Sequence, residues 1–432
     1  MSAENGHATS LTYWFRKCSS AFLDQGLVSG SNFVLGVFLA RWMGPTEYGA
    51  YVLVFAWFLL IAQLYQPLVT DPMGALQPVH HAETRREYLG AVIRLHLLAA
   101  VPILIILLLA AGVGRIVTPG AAPALLAVAG AAPLVLFFWL GRAGAYVARR
   151  PATAATASVV YVAVMFAGLY LLHARDLVSP PLAFALMAAA GTTAGAYLMW
   201  RLRPTLFGPR TPSVLTIWRQ HWTYGRWLIG VVALVWIQNW ALIFISGAVL
   251  GTGEAGALNA LANLALPVLH IQMATVRLVL PYVSTENPAG MEPYLTRART
   301  ALLSLSIAYS VVFVLFHQQV FTLLYGEAFQ RYSYLAPWYL LTLVLSTATA
   351  PFELGLRAMR ATDLQLKSFI WSAALTLVAG LFLVITLGIE GVIAAHILRD
   401  SVLLIVMRRY FRRRLQYALS ATPHGHAVTV QA

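Results

Sequence analysis

Four polar residues, Asn259, Asn263, His270 and Arg277, follow one another at spacings of 4, 7 and 7 in an otherwise apolar stretch. At about 100° per residue they fall within roughly a 40° arc of one helix. Such a stripe either lines a wet lumen or pairs with neighbouring helices as packing glue. The arginine favours the lumen, because a charge at mid-bilayer costs about 2.5–3.5 kcal/mol on insertion scales. Weaker polar faces are Gln63, Gln66 and Thr70, followed by Asp71, and Gln25, Ser29, Asn32 and Gly36. Gln238 and Asn239 form a further one. Asp24, Asp71 and Arg94 read either as an ion-pair gate or, more simply, as headgroup-level charges. Arg142, about two helical turns from Arg150, either lines a cavity or snorkels. His396, Arg399 and Asp400 share a face and read as a structural ion pair.

Enzyme chemistry finds no such support. There is no glycine-rich phosphate loop ending in Lys-Ser/Thr and no Gly-x-Ser-x-Gly elbow. The eleven histidines lack zinc-site spacing, so no metal or other cofactor is expected. His80, His81, His424 and His426 read as solvated loop and tail residues. The single cysteine, Cys18, excludes an intramolecular disulfide.

The elements that position these groups follow from composition. Of 432 residues, 60% are hydrophobic and 10% charged, with a mean hydropathy of +0.74. Soluble domains carry about 25% charged residues. The apolar residues come in blocks of about 20, the span of a hydrocarbon core, without the alternation of a barrel. The expected fold class is an all-α polytopic membrane protein with twelve spans. These are placed at 22–43, 49–71, 89–111, 122–146, 154–174, 178–200, 226–250, 256–282, 300–325, 333–356, 366–386 and 390–409. Arginines crowd alternate connections: Arg85 and Arg86, Arg149 and Arg150, Arg201, Arg203, Arg210 and Arg219, Arg297 and Arg299, Arg357 and Arg360, then Arg408 to Arg414. This positive-inside pattern places both termini in the cytoplasm and the chain in the inner membrane. It also gives the net charge of +14 a membrane reading rather than a nucleic-acid one. The basic tail is expected to touch anionic lipids.

The expected organisation is a six-helix lobe at 1–200, a cytoplasmic linker at 201–225, a second lobe at 226–410 and a basic tail at 411–432. An internal repeat supports the two lobes. MGPTEYGA from Met43 and LGTGEAGA from Leu250 pair Gly44 with Gly251 and Glu47 with Glu254 at an offset of 207 residues. The same offset pairs Asn32 with Asn239. Parallel repeats with polar faces on the first two helices of each half are a transporter architecture, with the site between the halves.

DQGLVSGSNFVLGVFLARWMGPTEYGAYVL, at Asp24–Leu53, resembles the start of the polysaccharide-biosynthesis transporters. These are the O-antigen-type lipid-linked oligosaccharide flippases of the multidrug/oligosaccharidyl-lipid/polysaccharide exporter superfamily. LGTGEAGALNALANLALPV, LVLPYVS and LLYGEAF resemble that family's later segments. The resemblance implies export or flipping of a polyprenyl-diphosphate-linked glycan for the cell envelope, as lipopolysaccharide or exopolysaccharide. The substrate head would sit in a central, cationic cavity lined by Arg277, Asn259, Asn263, His270, Asn32, Asn239, Gln63, Gln66 and Arg41. Asp24 and His270 would be candidates for ion coupling. Implied partners are the lipid-linked oligosaccharide, membrane lipids and other polysaccharide-assembly membrane proteins. A drug antiporter of the same superfamily is the alternative, and would be expected to show a carboxylate deep in a lobe. A glycan polymerase or ligase is a further one, but the chain lacks the large outer loop such enzymes use.

Overall fold

The computed structural model describes residues 11–117, 119–285, 288–359 and 361–421. Among these, some helical side chains, including those of Cys18, Gln25, Ser29 and Arg277, lie outside the described set. The described chain is helical from end to end, with turns and no strand. The helices are α1 (Leu11–Tyr65), α2 (Asp71–His80), α3 (Arg85–Val117), α4 (Ala122–Val147), α5 (Pro151–His173), α6 (Pro180–Leu202) and α7 (Val214–Gly225). They continue as α8 (Leu228–Val249), α9 (Thr252–Thr285), α10 (Pro288–Leu315), α11 (His317–Tyr325), α12 (Ala336–Ala358) and α13 (Thr362–Ala421).

Among the described residues ten helical stretches are long and apolar enough to cross a membrane. Two of them run to 53 and 59 residues, far beyond the 20 or so that one crossing needs. Each is broken at a glycine. Gly44 has φ 75° and ψ 173°, and Gly388 has φ 65° and ψ −137°. A helix cannot pass through such torsions, and residues other than glycine rarely adopt them. At Gly388 the chain turns back. A Cβ on Gly391 would lie 1.9 Å from the Leu383 carbonyl oxygen, whereas eight residues of straight helix span about 12 Å. Counted on either side of the two breaks, the ten stretches give the twelve expected spans.

The chain divides into two compact units, Met1–Ala233 and Leu234–Ala432. In the first, α4 is the most enclosed helix and packs on α3 and α6, while α5 joins α1 to α6. Small residues permit this closeness. A Cβ on Gly191 would lie 3.1 Å from the Leu134 carbonyl, and one on Gly195 would lie 2.7 Å from the Phe137 ring. Glycines four apart let membrane helices approach backbone to side chain. In the second unit α12 is central, packed on α9, α10 and α13. The outward faces are bare aliphatic surface, as at Leu97, Leu98, Val101, Ile105 and Leu109 of α3, which is how a helix surface meets lipid.

Candidate functional site

Among the described residues each unit holds one buried carboxylate. In the first, Asp24 of α1 is fully buried. Arg142 of α4 reaches it with both edges of its fork, Nη2 to Oδ2 at 2.6 Å and Nε to Oδ1 at 3.3 Å. Tyr146, one turn further along α4, donates its hydroxyl to Oδ2 at 2.6 Å. Ser158 of α5 donates to Oδ1. The carboxylate thus gathers four donors from two helices, and Phe138 lies under the guanidinium at 5.6 Å. Burying a charge in an apolar bundle is costly unless it is paired and its lone pairs are used; this cluster does both. Asp24 and Arg142, expected as separate groups, are instead partners in one ion pair whose carboxylate is buried. The two were read separately because 118 residues divide them. The other supposed gate residues also part company: Asp71 is exposed, and Arg94 donates to the Pro212 carbonyl at 2.5 Å.

In the second unit Asp400 of α13 is buried beside Arg399, Nε to Oδ1 at 2.8 Å. Arg399 also donates to the Gln238 carbonyl of α8 at 2.6 Å, and the Gln238 amide donates to the Phe369 carbonyl at 3.0 Å. The ring of His396 meets Tyr339 edge-on, 5.6 Å between centroids. The expected structural ion pair is therefore present and ties α8 to α13.

The polar stripe lies along α9. Asn259, Asn263 and His270 are half-buried, and the Arg277 side chain lies outside the described residues. Asn259 and Asn263 each engage a neighbour, and His270 Nδ1 donates to the Leu266 carbonyl at 2.7 Å. Asn32, Asn239, Gln66 and Arg41 are exposed, and Gln63 is half-buried. Arg41 too has an interaction partner. Asn259, Asn263, His270 and Arg277 share one helix; the remaining residues are distributed over α1, the turn after it and α8.

No family model and no curated protein matches the sequence. Solved structures do match the fold. An inward-facing multidrug resistance MATE family transporter of the MOP superfamily gives a TM-score of 0.76 at 18% identity, covering 92% of this chain and 96% of that one. The fold is MATE-like. The lipid II flippase MurJ, inward closed, gives 0.67 at 14% identity over 95% of this chain and 91% of that one. A MOP superfamily transporter from Pyrococcus furiosus, described as having a binding pocket of reverse polarity, gives 0.63 at 16% identity, covering 94% and 96%.

Within this MATE-like fold, some structural contacts escaped the sequence. Tyr309 and Tyr325 donate to the Leu264 and Ala260 carbonyls of α9, at 2.6 and 2.9 Å. Pro267 offers no N–H to the Asn263 carbonyl, so α9 is locally weakened there, and the tyrosines brace it. After α1 the helix widens into a π-turn, Gln66–Thr70, which contains Pro67. His221 of α7 seats on it. Its Nδ1 donates to the Leu68 carbonyl at 3.1 Å, so its Nε2 accepts from the Tyr88 hydroxyl at 2.8 Å. Burial holds the His221 imidazole down to about 4. Ile217, His221 and Gly225, four apart, form the buried face of α7. His81, expected to be solvated, instead stacks on Tyr88 at 4.3 Å, because Tyr88 is fixed by His221.

Proposed function

We propose that this chain is a membrane transporter that flips or exports a polyprenyl-diphosphate-linked oligosaccharide, or a related polysaccharide precursor, by alternating access. The observation that carries this reading is the state of its carboxylates. Among the described residues only Asp24 and Asp400 are buried, and each is paired with an arginine. A drug-cation antiporter would be expected to keep a carboxylate available deep in a lobe. Here both are already matched, and the chain carries a net charge of +14. That balance suits an anionic substrate. A lipid II flippase among the similar folds supports a lipid-borne one.

In this reading Arg277 draws the diphosphate head, since a guanidinium binds phosphate oxygens in pairs and keeps its charge. Asn259, Asn263 and His270 continue the path on the same helix, and Asn32, Asn239, Gln63, Gln66 and Arg41 supply further polar contacts. The chain has no ATP-binding loop, so an ion gradient, the membrane potential or downstream consumption drives the cycle. Of the two residues named for ion coupling, Asp24 is committed to Arg142, Tyr146 and Ser158, which leaves His270 as the candidate coupling group.

The test is flipping of a fluorescent lipid-linked oligosaccharide in proteoliposomes. Wild type should flip it, Arg277→Ala should lose flipping while remaining inserted, and Arg277→Lys should keep a fraction. Proton-driven transport of a cationic dye without glycolipid flipping would overturn the reading in favour of the antiporter. Full flipping by Arg277→Ala would remove Arg277 from the path.

A further inference from the structure

A second basic feature lies wholly inside the first unit and is separate from the α9 stripe. Four arginines converge on one cavity of about 260 Å³, lined by Arg86, Arg150, Arg201, Arg203 and Trp200. They come from three separate connections: Arg86 opens α3, Arg150 precedes α5, and Arg201 and Arg203 end α6. No carboxylate lines the cavity, and none of the four forms an ion pair among the described residues. Among the described residues the polar contact their forks make is a 3.4 Å one from Arg150 Nη1 to the Arg201 carbonyl at the end of α6. Arg201 lies over the Trp200 ring at 5.6 Å.

Charge bias across a membrane explains arginines at this end of the helices. It does not explain four guanidinium groups gathered around one cavity without a counter-charge. Like charges brought together raise the energy of the site unless an anion joins them. Arg203 takes part with its backbone in the left-handed region, φ 49°, which residues other than glycine seldom occupy.

A second cavity, of about 150 Å³, shares Arg86 and Arg150 with the first. Its other walls combine the apolar Met73, Leu89, Val147 and Leu202 with Gln77 and a further arginine, Arg85. In the first cavity's wall stands Trp200, 64% exposed, a residue type that settles at the membrane–water boundary. An anion-binding cavity adjoining a partly apolar one, at the depth marked by a tryptophan, has the polarity of a phospholipid: phosphate first, acyl chain after.

We infer that Arg86, Arg150, Arg201 and Arg203 form a binding site for the phosphate headgroup of an anionic membrane lipid, whose chain enters the partly apolar cavity beside them. The site does not depend on which substrate the protein transports.

The test is titration of the full chain in neutral detergent with phosphatidylglycerol, phosphatidylcholine or inorganic phosphate, followed by native mass spectrometry and thermal unfolding. The double variant Arg150→Gln/Arg203→Gln is compared with wild type and with the tail control Arg412→Gln/Arg413→Gln. Each arginine near a membrane surface contributes about fivefold to anionic-lipid affinity, so the cavity double variant should bind phosphatidylglycerol about 25-fold more weakly. The tail control should bind as wild type does at this site. Wild-type binding that is selective for phosphatidylglycerol and lost in the cavity variant supports the inference. Phosphatidylglycerol binding unchanged in the cavity variant overturns it. So does inorganic phosphate reproducing the whole effect, since the lipid would then be unnecessary. All four side chains are exposed and should tolerate glutamine; a matching unfolding temperature without lipid verifies that the variant is folded.

Discussion

At the scale of single residues, the Asp24 cluster sets the sharpest expectation. Removing one member of a buried pair leaves an uncompensated charge and costs about 3–5 kcal/mol, whereas replacing both with apolar groups is often near neutral. Arg142→Ala and Asp24→Leu should each lower the unfolding temperature in detergent by a wide margin. The double variant Asp24→Leu/Arg142→Met should recover most of the loss. Additive losses would mean that the pair does not act as a unit. The cluster could not be read from the chain, because no periodicity links Asp24 to Arg142, Tyr146 and Ser158. Only the packing of α1, α4 and α5 does. By contrast His396, Arg399 and Asp400 were legible, since they fall on one helix within five residues. The α9 stripe was legible as a pattern for the same reason.

Among the elements, the spans could be read almost completely, because about 20 apolar residues admit little but a membrane helix. The seating of α7 could not. Its anchor, the π-turn at Gln66–Thr70, exists through backbone geometry that no residue pattern announces, and His221 looks like one histidine among eleven. Two predictions belong here. A Cβ on Gly225 would lie 2.0 Å from the Pro67 carbonyl oxygen, so Gly225→Ala should loosen α7. Gly230→Ala meets nothing within 4 Å and should do no harm; hydrogen exchange over residues 214–225 separates the two. Acid should act in the same direction as Gly225→Ala. His221 is neutral when docked, with its folded value near 4 against an ordinary value near 6.5. Its contribution is therefore whole above about pH 6.5 and is lost as pH falls toward 4, where the released histidine binds a proton that the docked one refuses. Exchange in α7 should rise between pH 7 and pH 5, and His221→Gln should flatten much of that rise. A pH-independent α7 in the wild type would count against the anchor.

For the molecule as a whole, the repeat has a backbone counterpart. Gly44 and Gly251, matched by sequence, both have positive φ, 75° and 122°. The fourth span of each unit, α4 in the first and α12 in the second, is its central helix. The charge bias of the connections predicts that reporter fusions after Arg115 and Arg331 report the outside and a fusion at Ala432 the inside. A periplasmic C-terminus would invert this topology. The connection between the repeats, expected as a linker at 201–225, is tied to the first unit at several points. Thr205 N–H donates to the Arg86 carbonyl at 3.0 Å, Arg94 holds Pro212, and His221 holds Leu68. Between these points Phe207–Arg210 stands exposed. That arrangement has a consequence for fragment complementation. A chain cut at Gly208 yields a second fragment that begins with α7 and so carries its own peg for the first. A chain cut after Arg226 yields one that carries none. Co-expressed halves divided at the former point should reassemble in the membrane, and those divided at the latter should do so far less well.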